Sequence, residues 1–478
     1  MNTLLEGFAL LHGELLLFAA VFFLLSALDE LFIDSVYLWL RFAGKARAQI
    51  PAQISGIAWE HATASGTIVP RLRAPVAVYI PAWAEARVIG ATIRHMLTAW
   101  PQADLTIYVG SYFNDPATIA EVRQAAKPAK AAGPSIRLVV HDVPGPTCKA
   151  DCLNRIHAAM CADELERGRR FAFVVLQDAE DMIDPAALPL MEHALSTADF
   201  VQLPVLALPQ AGSRWVGSHY SDEFAEAHGK AMVVRDALGA ALPGAGVGCA
   251  VTRDMLGRLA EREPEGHPFS AGSLVEDYEL GLGVARLGGR SRFLRARAAD
   301  GRLIATRAYF PACFGTAVRQ KTRWTHGIAL QAWDRLGWHG GLLDRYMLLR
   351  DRRGPFGALL LALAYLLIAV TGCNLTLVAL GKLPPMVLGA ELQALLTANL
   401  AFLLWRAVSR AAFIAREFGW AEGMRAVLRI PVSNVIAIMA GRRALVAYCR
   451  CLRGAAPRWD KTEHDLHPAT HPPARKAA

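Results

Sequence analysis

The residues best suited to chemistry are carboxylates just beyond apolar runs. Asp178 and Glu180, in Asp178-Ala179-Glu180-Asp181, follow directly on residues 171–176 (FAFVVL). Paired hard oxygen donors at a strand end suit Mg²⁺ or Mn²⁺, which binds through one or two carboxylates plus substrate phosphate oxygens. The same string also reads as an acidic turn, and spacing alone weighs the two readings equally. Asp115, in Asn114-Asp115-Pro116, and Asp151, in Lys149-Ala150-Asp151, read singly as helix N-caps or turns. Lys149 adds a cation suited to the same phosphates. Glu276 and Asp277 open an amphipathic helical pattern, where acids are ordinary first-turn residues. Gln320, Arg323 and Trp324 are three or four apart and share one helix face. A guanidinium and an indole there can hold a diphosphate and stack on a sugar or base, or simply mark headgroup level ahead of a membrane span. Residues 220–230 (YSDEFAEAHGK) place Glu226 and Lys230 four apart, the pattern of a salt-laced helix. The glycines 244, 246 and 248 neither open a βαβ unit nor end in Gly-Lys-Ser/Thr, so they make a weak nucleotide fingerprint.

These residues need a scaffold, and the run 70–335 supplies the pattern of one. Apolar strands are expected at 76–80 (VAVYI), 105–109 (LTIYV), 136–140 (IRLVV) and 171–176, with helices near 88–99 and 117–126 between them. That alternation predicts an α/β domain with a doubly wound, mostly parallel sheet. Ligands of such sheets bind beyond the carboxyl ends of the strands, where Pro81, Glu85, Asp115 and Asp178 fall.

The rest of the chain has a different character. Of 478 residues 54% are hydrophobic and only 19% charged, yet the net charge is +9. From Arg345 onward Lys and Arg outnumber Asp and Glu by 18 to 7, so the preceding part is slightly acidic. The basic excess therefore accompanies the most apolar part of the chain, which argues for a lipid bilayer as partner and against nucleic acid. Residues 355–381 are uncharged and long enough to cross a bilayer, with Arg350, Arg352 and Arg353 ahead of them. A second span is expected at 392–408 and an N-terminal anchor at 8–28, with 32–40 lying at the interface. Residues 425–452 are interrupted by charge and read as an in-plane or re-entrant helix rather than a fourth crossing. Arginine placement puts everything from about Arg41 to Arg353 in the cytoplasm. The eight cysteines include no C-x-x-C pair and are expected to be free thiols.

In order, the strings Pro81-Ala82-Trp83-Ala84-Glu85, Asn114-Asp115-Pro116, Lys149-Ala150-Asp151-Cys152-Leu153-Asn154, Asp178-Ala179-Glu180-Asp181, Asp222-Glu223-Phe224-Ala225-Glu226, Pro243 to Gly248, Glu276-Asp277-Tyr278, Arg319-Gln320-Lys321-Thr322-Arg323-Trp324 and Trp459 to His464 resemble one group of proteins. It is the membrane-bound family-2 glycosyltransferases of the NfrB-like, or bacteriophage adsorption protein B, branch, and the resemblance covers nearly the whole chain. It implies a GT-A domain embedded between transmembrane helices in a bacterial inner membrane. It further implies a nucleotide-sugar donor, UDP-linked first of all, and a glycan or lipid-linked acceptor. Pro81, Glu85, Asp115 and Lys149 would meet the nucleotide. Asp178 and Glu180 would hold Mg²⁺ or Mn²⁺, and Asp277 would be the base of an inverting transfer. Glu276, Gln320, Arg323 and Trp324 would bind the diphosphate and the acceptor. Two departures stand out: Ala84 replaces the Asn of the branch's Pro-Ala-Trp-Asn-Glu pattern, and the second metal acid is Glu180, with Asp181 an alternative. The longest members carry a C-terminal cyclic di-GMP-binding region, whereas this sequence stops soon after His464.

The organisation expected is an anchor with interfacial helix over 1–45, a cytoplasmic catalytic domain over 46–345, membrane and interfacial helices over 346–454, and a cytoplasmic tail over 455–478. An export partner in the periplasm or outer membrane fits an exopolysaccharide role. The competing reading is a non-catalytic subunit of an envelope export or phage-receptor complex, which the retained acids and the Gln320–Trp324 motif oppose.

Overall fold

The computed structural model describes residues 2–44, 72–102, 104–127, 133–298, 300–385, 387–455 and 466–472. The Trp459–His464 string lies outside them. The chain enters through α1 (Asn2–Phe42) and then alternates: β1 (Val76–Pro81), α2 (Ile89–Ala99), β2 (Leu105–Tyr112), α3 (Pro116–Ala126), β3 (Ser135–His141), α4 (Lys149–Arg167) and β4 (Phe173–Leu176). Shorter elements follow: α5 (Ala187–Ala194), β5 (Phe200–Gln202), β6 (Val205–Ala207), α6 (His219–Glu226), a π-helical segment (Ala227–Ala231), α7 (Met232–Ala237), β7 (Cys249–Thr252), α8 (Arg253–Arg262), α9 (Glu276–Arg286), β8 (Ser291–Phe293) and β9 (Thr306–Ala308). The C-terminal part is helical: α10 (Phe314–Trp324), a second π segment (Thr325–Gln331), α11 (Ala332–Leu336), α12 (Leu342–Arg352), α13 (Gly354–Ala379), α14 (Ala390–Phe418), α15 (Trp420–Leu428) and α16 (Ile430–Cys451).

Among the described residues the main sheet has seven strands, in the order β3-β2-β1-β4-β7-β5-β8. β1 to β4 pair parallel, β7 runs antiparallel between β4 and β5, and β6 and β9 form a separate parallel pair. Both faces of the sheet are covered, so its central strands are continuous apolar runs. Val76, Val78 and Ile80 of β1 enter one core, Ala77 and Tyr79 the other. The expected doubly wound sheet is present, with β7 as its antiparallel exception.

Three helical expectations change. The anchor and the interfacial piece 32–40 are one unbroken helix, α1. The acids that looked like the end of a span continue it, because Arg350 and Arg353 pair with Asp29 and Glu30, and Lys230 pairs with Asp34 at 2.6 Å. The salt-laced helix gives way to a π segment after Glu226. The expected Glu226–Lys230 pair forms, 3.0 Å apart, with Lys230 buried beside α1 and Glu226 half-buried. The second span also extends, since α14 runs on through Arg406, Arg410 and Arg416 to Phe418.

Among the described residues four helices are long and apolar enough to cross a membrane: α1 from Leu10, α13, α14 and α16. The last differs in its contacts, because both of its ends touch the α/β domain. Arg429, at its start, donates to both Asp222 oxygens at 2.6 and 2.8 Å, and Tyr448 near its end donates to Asp334 at 3.0 Å. All eight cysteines are free thiols.

Candidate active site

A cavity of about 450 Å³ opens at the carboxyl ends of β1 and β4 and reaches α9 and α10. Pro81, Glu85, Lys149, Asp178, Glu180, Glu276, Asp277, Gln320, Arg323 and Trp324 all line it. Asp115 does not. It caps α3, accepting from Thr118 N at 3.3 Å, and it accepts from Ala84 N at 2.6 Å. That second bond holds Ala84 in the left-handed region at φ +51°. Trp83 then stands edge-on to Tyr112, ring centres 5.3 Å apart, at the cavity end beside β1 and β2. Asp115 thus shapes the wall from behind. Asp151 is likewise tied up, accepting from Thr147 Oγ1 at 2.7 Å.

The centre of the cavity is acidic. Lys149, in the first turn of α4, places Nζ 2.6 Å from Asp178 and 3.5 Å from Glu276. Glu180, Asp181 and Asp277 add three more carboxylates to the same lining. Burial disfavours the Lys149 charge, but Asp178, Glu276 and Asp277 outweigh it and hold its pKa above the usual lysine value. The acids respond oppositely. Burial, with Glu180 and Glu276 nearby, raises Asp178 despite Lys149, and burial with Asp178 and Glu180 raises Asp181 well above the carboxylate range. Burial and the neighbouring Glu276 push Asp277 up to about 7.

This excess of negative charge over one ammonium fits a bound cation. Among the described residues no three His, Cys, Asp or Glu side chains form a ready cage. Mg²⁺ and Mn²⁺ ask for less, since substrate phosphates and water complete their shells.

Asp277 sits at the start of α9 and accepts from Tyr278 N at 2.8 Å. The glycine turn dismissed as a nucleotide fingerprint proves to be its housing. Gly246 has φ +79°, and a Cβ there would lie 2.6 Å from Asp277 Oδ2. A Cβ on Gly244 would meet the Asp277 carbonyl at 2.5 Å. The signal was in the sequence, and in the structure it allows close approach to a carboxylate.

Gln320 and Arg323 lie on α10, with Trp324 as its last residue. Trp324 packs edge-on to Tyr220, Phe224 and Phe310. Among the described residues neither Gln320 Oε1 nor Arg323 Nε, both buried, has a hydrogen-bond partner. A buried acceptor or donor left without a partner is costly, so the Gln320 oxygen and the Arg323 N–H both suit a polar ligand in the cavity. Sequence reading missed Phe224, His228, Met232, Phe310 and Asp351, which also line the cavity. Their types carry no catalytic signature, and the π segment that brings His228 to the wall has no sequence signal of its own.

Residues 73–327 match the family model described as glycosyltransferase like family 2. The chain belongs to the family-2 glycosyltransferases. Bacteriophage adsorption protein B of Escherichia coli K12 is 34% identical over 502 aligned positions, covering 98% of this chain and 65% of that protein. The bacteriophage N4 adsorption protein B of Escherichia coli O157:H7 matches equally. The chain therefore spans just under two thirds of the length of these relatives. Among solved structures, the mannosyltransferase PcManGT of Pyrobaculum calidifontis, in complex with GDP-Man and Mn²⁺, aligns with TM-score 0.50 at 16% identity, over 88% of this chain and 99% of its own. That likeness shows the fold, GT-A, which in this chain is joined to long apolar helices.

Proposed function

We propose that the chain is a membrane-bound, inverting glycosyltransferase. It moves a sugar from a nucleotide-sugar donor, UDP-linked first of all, onto a hydroxyl of a glycan or lipid-linked acceptor, as in exopolysaccharide synthesis. The observation that carries this reading is convergence: the acidic loop after β4, Lys149, Asp277 and the Gln320–Arg323–Trp324 face share one cavity.

In this reading Asp178 and Glu180 hold a divalent cation against the donor diphosphate. When bound, the cation supplies Lewis-acid stabilisation of the leaving group. Lys149 and Arg323 meet phosphate oxygens with charge-assisted hydrogen bonds, and Glu276 fixes Lys149. Pro81 and Glu85 belong to the nucleoside end, where Asp115 sets the loop. Asp277 accepts the proton of the acceptor hydroxyl as its oxygen attacks the anomeric carbon and the bond to the diphosphate breaks. A general base works best with a pKa near the working pH, and burial moves Asp277 that way. Trp324 and its aromatic neighbours receive the acceptor's ring or chain.

The catalytic domain faces the cytoplasm of a bacterial inner membrane, with α1, α13 and α14 crossing and α16 lying along the domain. Support for that last assignment is the pinning of both α16 ends to the α/β domain.

The metal role has a direct test. Titrating purified protein with UDP or GDP, with and without Mn²⁺, should show metal-stimulated binding that Asp178→Ala loses. A variant with the wild-type metal response removes Asp178 from that role.

A further inference from the structure

The backbone of the acidic loop is held from outside itself, carbonyl by carbonyl. Thr92 Oγ1, on α2, donates to Ala179 O. His95 Nε2, also on α2, lies 2.9 Å from Ile183 O, and Trp100 Nε1, at the end of α2, donates to Asp184 O at 3.0 Å. Asp181 is different. Its carbonyl is met by His467, from the C-terminal segment 466–472, with Nε2 at 3.2 Å.

The geometry fixes the protons. A carbonyl only accepts, so His467 Nε2 carries the hydrogen. Nδ1 in turn accepts from Ala469 N at 3.1 Å. Both ring nitrogens of a neutral imidazole are thereby used, and His467 is 1% exposed. The segment around it is a closed turn, with Thr470 N and His471 N both donating to His467 O. Its far side is anchored on another part of the cavity wall, because Tyr309, a lining residue just past β9, donates to His471 O at 2.8 Å. β9 itself meets the acidic loop through reciprocal Met182–Arg307 backbone bonds at 2.8 and 2.9 Å. The loop is thus clamped between β9, α2 and the C-terminal segment.

We infer that His467 is a positioning residue for the acidic loop. By holding the Asp181 carbonyl it fixes the loop that carries Asp178 and Glu180, and so sets the affinity for a divalent cation with a nucleoside diphosphate. Asp181 also accepts from Asp178 N at 2.7 Å through its own side chain, so a shift of Asp181 moves the Asp178 backbone directly. This inference rests on the metal-binding reading above. Supporting bonds of this kind tune affinity by about 10- to 100-fold.

The test uses the full chain in detergent, comparing wild type, His467→Ala and His467→Gln. The glutamine amide can donate where Nε2 does, so it separates the hydrogen bond from mere packing. Two quantities are read: amide hydrogen exchange over 176–184, and Mn²⁺-dependent binding of UDP and GDP. The expected result is faster exchange and at least about tenfold weaker binding in His467→Ala, with both largely restored in His467→Gln. Unchanged loop exchange in His467→Ala overturns the inference, and so does a glutamine variant as impaired as the alanine one. Wild type that binds neither nucleotide defeats the transferase reading instead, and the exchange measurement still decides His467.

Discussion

Ala84 shows how much one residue can carry. Its left-handed backbone, φ +51°, aims its N–H at Asp115 and turns Trp83 toward Tyr112. A Cβ in that region costs roughly 1–2 kcal/mol, and Asn tolerates it better. The Asn of the branch's pattern is therefore explained by backbone strain at least as well as by a polar contact. Ala84→Asn should stabilise the protein by about 0.5–1 kcal/mol, seen as a higher melting temperature with binding preserved. A lower melting temperature would contradict this account of the loop. The same scale explains what could be read in advance. Asp178 and Glu180 stood out by their strand-end position, whereas Asp277, Gln320, Arg323 and Trp324 drew their expected roles from the family resemblance; all six line one cavity. Asp115 is the helix cap that its residue type and place before Pro116 predict; the nucleotide contact was implied by the resemblance alone. His467 carried no signal, since its partner is a backbone carbonyl far away in the chain.

At the scale of elements, β1 to β4 were legible because strands buried on both faces are apolar runs bounded by turn residues. β5, β6, β8 and β9 are three residues each, too short for any period to appear. The unbroken course of α1 was hidden for another reason. Asp29 and Glu30 look like the end of a span until Arg350 and Arg353 arrive from α12 and its C-terminal boundary to neutralise them. α16 repeats the lesson. Fully buried Arg429 bonds Asp222 on α6 and lies 2.5 Å from Glu422 on α15, joining three helices. Arg429→Ala leaves two carboxylates facing a buried gap, and removing one partner of such a group costs about 3–5 kcal/mol. Thermal unfolding in detergent should show that loss, and a change within error would mean the triad is dispensable for docking α16.

For the whole molecule, composition posed a choice between membrane and nucleic acid, and the location of charge resolved it. The basic excess lies among α12 to α16, where several arginines are spent on α1 acids and on the α/β domain rather than on a free surface. The acidic cavity and the apolar helices are thereby one assembly, with α10 and α16 at the seam. We propose that this assembly transfers sugar with Asp277 as base. The most direct measurement of that role is incorporation of radiolabelled sugar from a set of UDP- and GDP-sugars by membranes carrying wild type or Asp277→Asn. Wild type should label product from one of these donors. Asp277→Asn should lose about 10²-fold or more of that rate while still binding nucleotide. Equal incorporation by the two would contradict the role of Asp277 and the mechanism built on it.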